Sequence, residues 1–225
     1  MLVAQGRIQA VGPADKLAVP ADAERIALPG KTLLPGLIDL HSHVLLHPYN
    51  ETTWDDQVIK EAPSYRIALA VRHAADTLQA GFTTLRDLGS DEESLFAARD
   101  LFASGRVIGP RILVSGSPIS ATGGHGDDTT VDGDLSNKRL MNGVCDGPAS
   151  CMSAVRMQHK LGANVIKATA TGGFSGEQSF ESQFTLEELT AIVTAAHQLD
   201  LRVAVHAYTP KAIAEVVKSG ANSIE

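Results

Sequence analysis

Two histidines one residue apart, His41 and His43, close the apolar run Leu37-Ile38-Asp39-Leu40. In an extended strand residues i and i+2 share a face, so both imidazoles aim at one spot where the strand stops. Imidazole is the commonest metal-ligating side chain, and such a pair can grip one ion. Taken alone, the pair also suits two polar residues opening a loop. Two later strand-like runs end in comparable groups: Val165-Ile166-Lys167 in a lysine, and Val203-Ala204-Val205-His206 in a histidine. Burial lowers a lysine's pKa and leaves a neutral, nucleophilic amine. Such an amine can add carbon dioxide to give a carbamate, a carboxylate-like bridge between two cations, or form a Schiff base with a carbonyl substrate. Read singly, Lys167 also suits a lysine snorkelling from a strand end, and His206 a satisfied core or rim histidine.

Converging these groups requires strands that end together. From residue 35 the pattern is strand, loop, helix, repeated. Residues 64–80 read as a helix with Ile67, Val71 and Leu78 on one side and Gly81 as its stop. Strands are predicted at 82–88, 111–115, 164–169 and 201–206, and helices at 92–104, 148–161, 185–199 and 211–219. Thr185-Leu186-Glu187-Glu188 fits a capping box, and 223–225 reads as a further strand. A glycine- and aspartate-rich loop over 116–147 is long enough to suggest either function or disorder. Gly172 and Gly173 would let the backbone after Lys167 pass close to the site, with 174–184 as a flexible rim. Arg86 and Asp87, at a strand end, are expected to form a structural ion pair, and His47 a structural role only.

About five and a half βα units in series predict an α/β fold with a parallel sheet. Polar groups at the ends of several different strands favour a partial TIM-like (β/α)8 barrel over a doubly wound sheet. Short strands at 2–4, 7–11 and 25–28, punctuated by Gly6, Gly12-Pro13 and Pro29-Gly30, predict part of a small β-sandwich layer ahead of it. The expected domains are therefore 1–34, a partial N-terminal β layer, and 35–225, an incomplete barrel.

The 225 residues are 44% hydrophobic and 20% charged, with 19 basic and 26 acidic residues giving a net charge of −7. That balance, without a basic run, argues against nucleic acid as a partner. No run approaches the ~18 apolar residues of a membrane helix, so no membrane partner is expected. The N-terminus lacks the charged start and apolar core of a signal peptide. Cys145 and Cys151 are too few for a disulfide framework and lack C-x-x-C spacing. They are read as without special role, and a reducing, cytoplasmic setting is expected.

Taken together, the motifs resemble the amidohydrolase superfamily. Pro35-Gly36-Leu37-Ile38-Asp39-Leu40-His41-Ser42-His43 looks like its first-strand signature. Gly81-Phe82-Thr83-Thr84-Leu85-Arg86-Asp87-Leu88-Gly89, Thr122-Gly123-Gly124-His125-Gly126-Asp127, Gly162-Ala163-Asn164-Val165-Ile166-Lys167 and His206-Ala207-Tyr208-Thr209-Pro210 extend the match. They are similar to the metal-dependent branch of Xaa-Pro dipeptidases (prolidases), basic-residue carboxypeptidases, ochratoxin-type amidases and the related imidazolonepropionases. The resemblance implies that His41 and His43 bind the more buried of two zinc ions, that Lys167, carboxylated, bridges both, and that His206 binds the second. It places His125 and Tyr208 near the substrate's terminal carboxylate. The implied activity is hydrolysis of a peptide or amide bond, in an Xaa-Pro dipeptide, another dipeptide or an N-acyl amino acid, by a metal-bridging hydroxide. The complete enzyme is expected to be a homo-oligomer acting on a small peptide or amide substrate.

The same resemblance implies a sixth-strand histidine directly after Asn222-Ser223-Ile224-Glu225 and an eighth-strand aspartate as general base. The aspartate is expected beyond Glu225, so the chain is expected to be a portion of a larger protein or to need a partner. Other readings stay open: a metal-binding fragment without turnover, a cyclic-amide hydrolase like imidazolonepropionase, or a Schiff-base aldolase acting through Lys167.

Overall fold

The computed structural model describes residues 1–54, 56–89, 92–127, 143–173 and 181–225. The chain separates into two units, Met1–Pro35 and Gly36–Glu225. In the first, β1 (Leu2–Ala4) and β2 (Arg7–Ala10) pair antiparallel. Gln5 and Gly6 form the turn, both at positive φ, 52° and 70°. Positive φ at both central residues matches the right-handed twist of the flanking strands. The strand expected at 25–28 does not form, and Ile26 and Leu28 are 74% and 55% exposed. A strand is stabilised by its ladder, and this segment has no ladder partner among the described residues.

The second unit is a βα series: β3 (Leu37–Ser42), α1 (Pro63–Gln79), β4 (Phe82–Asp87), α2 (Glu92–Ala103), β5 (Arg111–Val114), α3 (Pro148–Leu161), β6 (Val165–Thr169), α4 (Leu186–His197), β7 (Arg202–His206), α5 (Pro210–Ser219) and β8 (Ser223–Ile224). The strands form two parallel sheets in sequence order, β3-β4-β5 and β6-β7-β8. The chain just after β5 ties the second sheet to the first. Asn164 N donates to Val114 O at 2.7 Å, Ile119 N to Lys167 O at 2.7 Å, and Thr169 N to Ile119 O at 3.0 Å. A π-helical turn, Asp56–Lys60, in the β3–α1 connection was not foreseen. Its buried Gln57 accepts from His47 N at 2.9 Å and donates to the carbonyls of His47 and Thr52, both at 2.8 Å.

Local chemistry explains the helix ends. Thr185 Oγ1 accepts from Glu188 N while the Glu188 carboxylate accepts from Thr185 N, completing the expected capping box. Thr209 Oγ1 accepts from Ala212 N at the start of α5. Gly162 and Gly220 end α3 and α5 at φ 106° and 85°, a left-handed conformation that favours glycine.

Alternation in β6 and β7 separates two faces. Ile166, Ala168, Val203 and Val205 pack with Val155, Leu189, Ile192 and Val216 of the helices. Val165 and Ala204, of the opposite parity, pack with Leu88 instead. Lys167 and His206 share that second parity, pointing away from the helical layer. Phe184, expected on a flexible rim, is buried in the helix-facing core; residues 174–180 of that rim lie outside the described residues, as do 128–142 of the long loop.

Cys145 and Cys151 also differ from expectation. They are joined by a disulfide, with Cα atoms 5.0 Å apart, within the usual bridging range. A parallel bridge between Ser120 and Val144 brings the incoming chain beside the 119–120 segment, and the turn at Gly147 returns it into α3. The cysteines therefore give no support to a reducing compartment.

Candidate metal centre

His41 lies in β3 and His43 just beyond it, with ring centroids 5.3 Å apart. Each ring is held through Nδ1. His41 Nδ1 meets Glu225 Oε2 at 3.0 Å, and His43 Nδ1 donates to Gly89 O at 2.8 Å. Glycine is required for the second contact. Gly89 has φ 144°, and a Cβ there would stand 3.0 Å from Pro118 Cγ and 3.5 Å from His43 Cε1. Asp87, fully buried, braces both loops, accepting from Val44 N at 2.6 Å and Gly89 N at 3.2 Å. Both histidine Nε2 atoms are left without a hydrogen-bond partner among the described residues.

Lys167 and His206 come from the buried sheet. Parallel register sets Lys167 opposite Ala204 and Thr169 opposite His206. Lys167 is only 4% exposed, and burial pushes its ammonium down to about 8, against the opposing pull of Glu225. Burial likewise pushes His206 down to about 4, opposed by its bond to Gly172 and aided by His125, Lys167 and His41. His41 is lowered chiefly by burial and then by the Lys167 charge. These groups are therefore close enough to feel one another electrostatically.

Glu225 is the residue at this site whose role the sequence left unread. Its Oε1 accepts from Arg86 Nη2 at 2.5 Å and from Ser223 Oγ at 2.7 Å. Arg86 also donates from Nε to Leu40 O at 2.5 Å. The expected Arg86–Asp87 pairing is corrected: adjacent strand residues face opposite ways, and each finds its partners elsewhere. Burial alone would raise the Glu225 carboxyl, but the Ser223 hydrogen bond and the charges of Arg86, His41 and Lys167 hold it below its ordinary value.

His125 and Tyr208 gather around His206. The His125 ring stacks on His206 with centroids 4.6 Å apart and planes 2° from parallel, and Tyr208 meets His206 edge-on at 4.7 Å. Gln183, not singled out in the sequence, positions the loop by accepting from His125 N at 3.1 Å. The 181–184 segment is itself anchored, Gln183 N donating to Ala170 O at 2.7 Å.

Comparison with known proteins gives this arrangement a lineage. The family model described as the amidohydrolase family matches residues 32–225. The chain belongs to the amidohydrolase family. It is 32% identical over 211 residues to ochratoxinase of Aspergillus niger, covering 86% of this chain and 42% of that protein. Among solved structures, a Xaa-Pro dipeptidase with methionine bound in its active site is 35% identical, with a TM-score of 0.72 over 84% of this chain and 47% of that one. A prolidase complexed with N-methylphosphonate-L-proline is 32% identical, with a TM-score of 0.75 over 89% and 52%. The chain spans about half the length of these relatives.

Members of this family are generally metal-dependent, and the residues present can be tested against a metal. The His41–His43 pair fits. Each imidazole gives Nδ1 to an acceptor and keeps Nε2 for a ligand, the usual outer-sphere arrangement of metal-binding histidines. Lys167 fits as a buried amine. His206 is turned differently: its Nε2 lies 3.1 Å from Gly172 O and its ring face is covered by His125. Among the described residues no group of three or more His, Cys, Asp or Glu stands close enough to hold an ion. In the described structure His41 turns Nδ1 to Glu225 and His206 turns Nε2 to the carbonyl of Gly172.

Proposed function

We propose that this chain carries the metal-binding strands of a hydrolase that cleaves a peptide or amide bond in a dipeptide or N-acyl amino acid, on a (β/α)8 barrel of which it supplies five and a half units. The observation that supports this best is the pairing of His41 and His43, each anchored through Nδ1, with the buried amine of Lys167, whose pKa burial lowers to about 8. His41 and His43 would hold a zinc ion, with Lys167, as the carbamate formed by adding carbon dioxide and losing a proton, and His206 serving a second. Zinc suits this set because imidazole and carboxylate-type oxygen are both good ligands for it. When bound, such ions supply Lewis acidity toward a carbonyl and toward water.

The chain's own residues do the rest. The His125 ring stacks on His206 and the Tyr208 ring meets it edge-on, and in this reading an N–H of the His125 loop and the Tyr208 O–H would receive a substrate carboxylate. Leu88, Val165 and Ala204 pack into an apolar cluster on the strand face that Lys167 and His206 share, and apolar surroundings strengthen polar contacts. A homo-oligomeric complete enzyme acting on small substrates is part of the same reading.

A second reading, metal binding without turnover, is favoured by one observation. The carboxylates beside the histidines are already committed, Glu225 to His41, Arg86 and Ser223, and Asp87 to Val44 N and Gly89 N. A general base must be within reach of the proton it takes. One experiment separates the two. The purified chain is loaded with zinc in bicarbonate, its metal content measured, and a panel of Xaa-Pro dipeptides, other dipeptides and N-acyl amino acids assayed before and after chelation. Zinc uptake with chelator-sensitive cleavage supports the hydrolase. Uptake without cleavage supports the second reading, and no uptake overturns both.

A further inference from the structure

Glu225 touches an expected ligand and is itself held from two other directions. Oε2 faces His41 Nδ1 at 3.0 Å, while Oε1 takes hydrogen bonds from Arg86 at 2.5 Å and Ser223 at 2.7 Å. With Oε1 occupied by two donors, the carboxylate has one orientation left, and that orientation turns Oε2 to the imidazole. Arg86 reaches Glu225 from β4 across a sequence separation of 139 residues. Its Nε is meanwhile tied to the carbonyl of Leu40, the residue before His41. One guanidinium thus fixes both the acceptor and the backbone that carries the ring. The Glu225 side chain is 7% exposed, so water competes little for these bonds.

Resting on the reading of His41 and His43 as metal ligands, we propose that Glu225 is the positioning residue for His41, with Arg86 and Ser223 fixing it in that role. A neutral imidazole carries one N–H, and an acceptor at Nδ1 decides which nitrogen keeps it. Glu225 therefore holds the proton on Nδ1 and leaves the Nε2 lone pair for a divalent cation. A charged acceptor polarises the ring more strongly than a neutral one and makes Nε2 a better donor to a metal. His43 has the corresponding support from the backbone carbonyl of Gly89. That support survives any side-chain change at Glu225, so His43 serves as an internal control.

The test uses the full chain, labelled with 15N-histidine, as wild type, Glu225→Ala and Glu225→Gln. In metal-free protein above the imidazole pKa, two-bond 1H–15N correlation reads the tautomer of each ring. Zinc affinity is measured by competition with a chromogenic chelator. Wild type is expected to show His41 protonated at Nδ1. Both variants are expected to lose that preference at His41 but keep it at His43, and to bind zinc roughly 10–100-fold more weakly. Should Glu225→Ala fail to fold, the near-isosteric Glu225→Gln carries the comparison. A wild type that takes up no zinc overturns the metal reading and this inference together. A wild type that binds zinc while both variants match it in tautomer and affinity overturns the Glu225 assignment alone. Lower thermal stability of the variants with unchanged tautomer does the same, since that is what a purely structural contact would give.

Discussion

Strand β6 buries all five of its residues, whereas β3 leaves Leu37, Ile38 and Leu40 exposed by 48%, 59% and 59%. Both strands present a candidate ligand, yet they hold it by different means. Lys167 and His206 sit on strands gripped by packing, and burial sets their protonation. His41 and His43 sit on and beside a lightly packed strand, and polar anchors set their orientation: a carboxylate for one, a carbonyl for the other. A ligand held by packing tolerates change at its polar neighbours and suffers when the core is cut. A ligand held by hydrogen bonds behaves the other way round.

The largest test of that contrast is a pair of truncations. Ile166 is fully buried against the helices and Ile38 is 59% exposed. Ile166→Ala removes three methyl(ene) groups from a filled core and is expected to cost about 2–5 kcal/mol, read as a drop in the urea midpoint. Ile38→Ala is expected to stay within about 0.5 kcal/mol. Equal losses would mean that β3 is covered in solution as well as β6 is, and the comparison would fail.

Protonation gives the next test, on chelator-treated protein free of carbon dioxide. His206 falls from its ordinary 6.5 to about 4 in the folded chain. Between those values the unfolded chain binds the extra proton, so folding stability rises with pH. The contribution is intact above 6.5, is lost as pH falls through 4, and amounts to at most about 3 kcal/mol. Lys167 behaves alike at the other end. Its fall from 10.5 to about 8 means that stability climbs as pH rises across that interval. His206→Gln should flatten the acid window and Lys167→Met the alkaline one, each followed by denaturant titration across pH. A wild-type chain whose stability is flat across both windows would show that neither group is as dry as its strand.

The same contrast explains what the sequence could disclose. Alternation and helix punctuation are local, so the βα series from β3 to β8 could be read directly, and with it the strands carrying His41, Lys167 and His206. Lys167, however, lies mid-strand in β6 rather than at its end. Thr185 and Glu188 announced a cap three residues apart. What could not be read is what depends on distant partners. Arg86 was assigned to its neighbour Asp87, yet it reaches Glu225 and Ser223, far along the chain. Nothing local distinguishes a carboxylate that will face His41 from one that faces water. The 25–28 segment has strand composition, but composition supplies no ladder. Phe184 looked like loop because glycines and serines precede it, and tertiary packing buried it. The bridge between Cys145 and Cys151 escaped because their approach depends on the Ser120–Val144 pairing and the turn at Gly147, neither of which their spacing shows.

The helices extend the comparison to its smallest effect. α4, packed on the buried sheet, begins with a reciprocal cap: Thr185 Oγ1 accepts from Glu188 N at 3.2 Å and Glu188 Oε2 from Thr185 N at 2.8 Å. α1, beside the lightly packed strands, begins at Ala62, whose backbone is extended at φ −66° and ψ 140° and whose side chain makes no capping bond. Pro63 follows at a position that tolerates it, since a first-turn N–H has no intrahelical acceptor. Tyr65 N and Arg66 N reach back to the Ala62 carbonyl at 2.9 and 3.2 Å, so what α1 lacks is a side-chain acceptor at its cap. Ala62→Asp places an acceptor there and a negative charge at the positive end of the helix dipole, and is expected to stabilise the chain by about 1 kcal/mol. Thr185→Ala is expected to destabilise it by a similar ~1 kcal/mol. Thermal unfolding of the two variants reads both signs. If Ala62→Asp raises the midpoint while zinc affinity is unchanged, α1 adds stability without orienting His41 and His43, and the orienting work stays with Glu225 and Gly89. A gain in zinc affinity on capping α1 would move part of that work onto the packing of β3 and narrow the difference between the two halves.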